Sequence, residues 1–320
     1  MKSLTRYIVA FVLLCCFAGC AKLPDAAGGF LSEEICFSTA AEESGPDTKL
    51  GLKFWDSWVY PEWEDGDRVK IVKYSESGAS GNAEYNCSIS SGNYLWKSAA
   101  PLRWEEKAAH DFFVVYPASG TITPLSTPGT GTDPQARIQC EVTRNMSNGD
   151  PAKFYMVGAS HADEPVSLVR FQTTPALSVF RFSITNKKAA GLRISSVNLL
   201  AWDEPYWTSS SQQMNLYGKY YVDLTASYSG WYYTPSVTYA GLAEAPAYKS
   251  MIPSFAKTMA LNETASFTVY AIPQNYKRLV LTLTLTGAVS KEQKIDFRNT
   301  SNSSLGFEPF KKYDLRVTLQ

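Results

Sequence analysis

Between residues 279 and 285 the chain reads Leu-Val-Leu-Thr-Leu-Thr-Leu, and this two-residue alternation recurs from residue 35 to the last residue. In an extended backbone successive side chains point to opposite faces, so a period of two buries one face and leaves the other to solvent. Ile35 and Phe37 alternate with Cys36 and Ser38; Val69 and Ile71 flank Lys70; residues 135–143 alternate throughout; Phe180, Phe182 and Ile184 share a face. At the C-terminus Tyr313, Leu315, Val317 and Leu319 oppose Asp314, Arg316, Thr318 and Gln320. No stretch of about a dozen residues or more keeps apolar side chains at helical spacing without β-branched, Gly or Pro interruption. The chain is therefore expected to be all-β.

The N-terminus has a different pattern. Lys2 and Arg6 precede an uninterrupted apolar run, residues 7–17, which has the charge and length of an export signal. A bilayer-spanning helix needs about 20 apolar residues, so this run is too short to serve as one. Phe17-Ala18-Gly19-Cys20 resembles a bacterial lipobox, with Phe17 where Leu is commonest. That resemblance implies a signal peptide over residues 1–19 and a diacylglycerol on Cys20. Two or three acyl chains, at about 0.8 kcal/mol per buried methylene, hold a protein on a membrane where one does not. Residues 20–34, with Pro24 and Gly28-Gly29, read as the lipidated cysteine and a flexible tether.

Lysine plus arginine and aspartate plus glutamate number 30 each, and no basic tract occurs, so nucleic acid is not an expected partner. Cys36, Cys87 and Cys140 remain beside Cys20, too few for a disulfide framework. Cys140 alternates with Ala136, Ile138 and Val142 and reads as a small buried hydrophobe. With only His110 and His161, a three-histidine metal centre is impossible, and no nucleophile-elbow, metalloprotease-helix, phosphate-loop or dinucleotide fingerprint is present. His110 reads as a strand-edge residue and His161 as part of a polar loop. No enzyme, cofactor or metal is expected.

Asp65-Gly66 has the form of a tight hairpin turn, and residues 117–134, rich in Gly, Pro, Ser and Thr, read as a long loop. Breaks in the pattern between residues 160 and 176 divide the chain into domains over 35–166 and 167–320. Aromatic residues cluster around Trp55, Trp58 and Trp63, around Trp202, Tyr206 and Trp207, and around Trp231 in a Tyr-rich stretch. Exposed rings at Trp55, Trp58 and Trp231 would suit stacking on glycans. Packing inside hairpins and sheets is the preferred reading for each cluster.

A set of short motifs resembles, in order, the fimbrillin family, the Mfa-like lipoproteins of type V pili. It comprises the lipobox, Ile35-Cys36-Phe37-Ser38, the W-x-x-G-D pattern from Trp63 to Asp67, Pro101-Leu102-Arg103-Trp104-Glu105 and the run from His110 to Pro117. Ile272-Pro273-Gln274 and the run from Phe307 to Tyr313 complete it. The resemblance implies two tandem transthyretin-like antiparallel β-sandwich domains. It implies a non-catalytic subunit or anchor in the outer membrane, at the cell surface or in the fimbrium, whose partners are other fimbrial subunits. It implies assembly by β-strand donation: an N-terminal strand is removed by proteolysis and a neighbour's strand takes its place. The removable strand would be residues 35–39. Major fimbrillins are cut after an Arg in this region, yet no Arg lies between Arg6 and Arg68, which leaves either Lys49 or Lys53 as the cleavage point or a chain that is never cut and stays lipidated as a basal anchor or cell-surface lipoprotein. Tyr313, Leu315, Val317 and Leu319 would belong to a donor strand or to an ordinary closing strand; the direct run from Phe307 to Lys312 into it favours closing. A glycan-binding surface lipoprotein is the alternative reading.

Overall fold

The computed structural model describes residues 33–39, 51–55, 58–75, 80–90, 93–125, 135–145, 154–206, 209, 211–229, 232–244, 246, 249–287, 291–298 and 306–320. Among the described residues there is no helix. In chain order the first strands are β1 (Phe37–Thr39), β2 (Gly51–Trp55), β3 (Trp58–Glu62), β4 (Arg68–Ser75), β5 (Ser80–Ser90), β6 (Asn93–Lys97), β7 (His110–Tyr116), β8 (Thr121–Pro124), β9 (Gln135–Val142), β10 (Met156–Ala162) and β11 (Val169–Pro175). They are followed by β12 (Ser178–Asn186), β13 (Leu192–Trp202), β14 (Gln213–Met214), β15 (Gly218–Ser229), β16 (Tyr232–Leu242), β17 (Lys257–Met259), β18 (Thr264–Ala271), β19 (Arg278–Thr286), β20 (Lys291–Arg298) and β21 (Lys312–Leu319). The all-β expectation holds.

Seven strands close on themselves in the order β1-β11-β10-β7-β4-β5-β6, with β6 returning to β1. Val69, Ile71, Tyr85, Trp96, Phe112 and Val114 fill the interior of this barrel. A second, larger core forms from β12, β13, β15, β18, β19 and β21 and includes Phe180, Phe182, Leu281, Leu283 and Leu319. Strand β7 belongs to both: Phe112, Val114 and Tyr116 point into the barrel, whereas Phe113 and Val115 join the second core. This is why Phe112 to Tyr116 reads as an unbroken apolar run rather than an alternation; a strand covered on both faces has no solvent side to mark. Removal of each such side chain from water contributes about 1.5–3 kcal/mol.

Several details depart from the sequence reading. Among the described residues two pairings are parallel, β1 with β11 and β12 with β21. Gly66 does adopt the positive φ of 90° that the tight turn needs, but β3 pairs with β2 rather than β4. The turn is instead tied to β5, with Gly66 N–H donating to Cys87 O at 2.9 Å and Cys87 N–H to Asp67 O at 2.7 Å. Within the expected loop 117–134 lies β8, which pairs with β9. His161 stands in strand β10, not in a loop. The strand was hidden by its small residues: a Cβ on Gly158 would lie 2.3 Å from Gln172 O, so the close approach of β11 excludes the side chains that advertise strands. Pairing also crosses residue 166, since β11 completes the barrel and β9 pairs with β15.

Candidate functional site

The barrel is closed by its shortest member. Strand β1 lies between β6, to which it runs antiparallel through Phe37↔Trp96 and Thr39↔Tyr94, and β11, to which it runs parallel through Phe37↔Val169 and Thr39↔Phe171. The residues before it continue the seam. Ile35 N–H donates to Leu102 O at 2.8 Å, Trp104 N–H to Glu33 O at 3.1 Å and Val169 N–H to Cys36 O at 2.9 Å. Arg103 pairs with Glu34 at 3.1 Å, both about half exposed. The segment 33–39 is thus gripped along its backbone on two sides.

Its side chains anchor it. Ile35 and Phe37 are buried, and the Phe37 ring meets Tyr85, Phe112 and Phe171 at centroid distances of 5.0, 5.3 and 6.3 Å. Trp63 and Trp96 pack edge to face beside them at 4.9 Å. The Tyr85 hydroxyl accepts from Leu102 N–H at 2.8 Å, and burial raises its phenol above the ordinary range. Burial likewise pushes the Cys87 thiol up to about 12, so in this interior it acts as a packing residue. Backbone groups thus hold this extended segment irrespective of its sequence, while two sockets two residues apart take Ile35 and Phe37.

The C-terminal residues singled out from the sequence form the other terminal strand. Val317 and Leu319 are buried, and Tyr313 stacks on Phe180 at 5.8 Å while its hydroxyl accepts from Glu308 N–H at 2.6 Å. Strand β21 is paired with β12 through Val179↔Lys312 to Asn186↔Leu319 and stands at the edge of its sheet. Lys53 pairs with Tyr60, and Trp55 with Trp58, as backbone positions of β2 and β3. The side chains of Lys53, Trp55 and Trp58 lie outside the described part, as do Cys20, Lys49 and Trp231 altogether.

Both histidines are in the barrel wall, and sequence reasoning missed the partnership of one of them. His161 Nδ1 lies 2.6 Å from Asp111 Oδ1 and Nε2 lies 3.1 Å from Asp163 Oδ1. The hydrogen bond to Asp111 is the main reason its pKa rises. Nothing local in the sequence marks this pair, because it follows from the register His161↔Asp111 between β10 and β7. His110 is buried against Trp104, and desolvation lowers its pKa. A ring set between two carboxylates is a clamp, with its nitrogens turned to acids rather than to a nucleophile.

No family model matches the chain, and no curated protein does. Solved structures do match it. A proposed cell adhesion protein from Bacteroides uniformis covers 81% of this chain and 88% of its own, at 17% identity and a TM-score of 0.48. A fimbrial assembly protein from Parabacteroides distasonis covers 89% and 91%, at 9% identity and a TM-score of 0.40. The fimbrial anchor protein Mfa2 from Porphyromonas gingivalis covers 89% and 90%, at 10% identity and a TM-score of 0.36.

Proposed function

We propose that this chain is a non-catalytic, lipid-anchored fimbrial subunit or anchor that joins its neighbours through the slot now filled by β1. The observation carrying this reading is that, among the described residues, Phe37 to Thr39 is the strand whose backbone pairs with both β6 and β11 and so closes the barrel. Withdrawal of that strand leaves two rows of unpaired backbone groups and empties the sockets of Ile35 and Phe37. A neighbour's strand with apolar residues two apart fits such a slot, and Leu315, Val317 and Leu319 have that spacing. The ordered sequence motifs support the same reading, as does the lipobox at Cys20. Its finer form holds two transthyretin-like units in tandem, acylation of Cys20 and cleavage at Lys49 or Lys53.

The test compares the full chain with a form beginning at residue 54, each checked for folding by circular dichroism. The truncated form alone is expected to give ladders of oligomers on incubation, abolished by an added peptide spanning residues 33–39. Monomers in both samples, with folding intact, would remove strand donation.

A further inference from the structure

Strand β20 ends its sheet. It pairs with β19 from Arg278↔Arg298 to Leu285↔Lys291, and among the described residues its other backbone edge has no partner. Its two faces differ. Gln293, Ile295 and Phe297 stand opposite Leu283, Leu281 and Leu279; Ile295 and Phe297 pack on the second core, with the Phe297 ring 5.6 Å from that of Phe182. Glu292, Lys294, Asp296 and Arg298 form an exposed row on the opposite face. Along the chain the signs of this row run minus, plus, minus, plus. An antiparallel neighbour of the same sequence presents them as plus, minus, plus, minus.

Residues directly opposite each other in an antiparallel pair share a face, so a second copy of β20 related by a two-fold axis docks only with the axis passing through a residue. With the axis at Ile295, Glu292 faces Arg298 and Lys294 faces Asp296 of the second copy, and symmetry repeats both pairs. On the other face Ile295 meets Ile295 and Gln293 meets Phe297, which extends the apolar side of the sheet. An axis at Lys294 would set that lysine against itself and Glu292 against Asp296. An axis at Asp296 would set that carboxylate against itself and Lys294 against Arg298. With the axis at Gln293, only residues 291–295 overlap. Charges on an edge strand ordinarily keep other strands away. On β20 they repel at the adjacent registers and attract at one. The charged edge of β21 is different, since its Lys312, Asp314 and Arg316 cannot all meet opposite charges in any antiparallel self-pairing.

The row is held in place before any docking. Asp296 accepts from Arg278 Nε at 2.8 Å and from Arg298 Nη2 at 2.7 Å, and the Arg278 side chain is only 8% exposed. The Arg298 guanidinium lies 5.0 Å from the centroid of the Tyr206 ring and keeps further donors for a carboxylate. Glu292 and Lys294 are exposed and make no ion pair among the described residues.

We infer that β20 is an interface for a second copy of this chain, joined edge to edge in the register centred on Ile295 so that one sheet runs through both copies. The contact is the same patch on each copy and closes at two, unlike the open ladders expected of the β1 slot. It uses a strand outside the barrel and stands independently of the assembly reading. The edge of a single strand is a small interface, so the dimer should be weak, with a Kd on the order of 100 µM.

Sedimentation of the full chain from about 5 µM to about 1 mM tests it. A monomer–dimer equilibrium is expected, weakened severalfold when salt rises from about 0.05 M to about 0.5 M. Hydrogen exchange at amides 291–298 should slow as the concentration rises. Glu292→Lys, which opposes cations at both ends of the contact, should weaken the dimer at least tenfold, and Arg298→Glu should do the same with anions. An equimolar mixture of these two variants should recover a dimer of near-parental strength, because the introduced lysine then faces the introduced glutamate while Arg298 of one copy faces Glu292 of the other. Thermal midpoints establish that each variant folds, and Lys294→Glu at an exposed position repeats the disruption where Arg298→Glu does not fold. A chain monomeric at every concentration, a dimer indifferent to Glu292→Lys or Lys294→Glu, or a mixture of folded variants that stays monomeric would each overturn the proposal.

Discussion

The first and last described strands, β1 and β21, dock alike and are held differently. Each lies parallel to its partner, and the partners β11 and β12 follow one another in the chain. Strand β1 has three residues and neighbours on both sides; β21 has eight residues and a single neighbour. All of β1 is buried, whereas β21 alternates, with Asp314, Arg316 and Thr318 exposed. Two-sided burial makes the short strand a plug whose loss opens a slot. One-sided pairing makes the long strand a cover whose loss strips part of a wall. Charges along β21 also discourage stray pairing at its open edge, a protection β1 does not need.

If that contrast is right, the largest effect belongs to Phe37→Ala. Removing a ring that meets three aromatic neighbours should cost about 3–5 kcal/mol in urea unfolding, because the closed barrel cannot collapse around the void. Leu319→Ala should cost about 2–4 kcal/mol, since a strand with one neighbour can shift to refill the space. A larger loss at Leu319 than at Phe37 would reverse the comparison.

The histidines sharpen it, since both sit in the barrel wall. Protonated His161 gains from Asp111, so its contribution is fully present below the unfolded pKa of about 6.5 and is lost as pH rises through its raised folded value. Buried His110 acts in the opposite sense: its contribution is present above about 6.5 and is lost as pH falls through its lowered folded value. Substitution His161→Gln should therefore cost on the order of 1 kcal/mol near pH 6 and less near pH 8. Fluorescence of Trp63, Trp96 and Trp104, all inside the barrel, reads that change. Smallest of all, Arg103→Ala removes a half-exposed pair with Glu34 and should cost under about 0.5 kcal/mol. A larger loss would mean that charge, rather than burial, seats β1.

Much of the fold was legible because burial on one face writes itself into the chain. The leucines of β19 and the Phe180, Phe182 and Ile184 face of β12 were read directly and lie in the second core. Cys140 was placed correctly as a buried apolar residue, with its thiol raised by desolvation. What stayed hidden was relational. Parallel docking of β1 and β21, closure of the barrel and the His161–Asp111 pair depend on residues far apart in the chain, and alternation records a face without naming its neighbour. Strand β10 lay concealed in small residues, and β15 and β16 in a stretch whose Gly, Ser and Pro mimic loop. At the β1 slot the sockets for Ile35 and Phe37 could be anticipated as buried positions. Their use as a seam between β6 and β11 could not.

The parallel seam between β1 and β11 joins residues well over a hundred positions apart. Contacts so distant form late, because the intervening chain must first be confined. Strand β1 therefore waits unattached until the other six staves are present. Until then the gap between β6 and β11 stands open, with backbone groups bare along both of its sides.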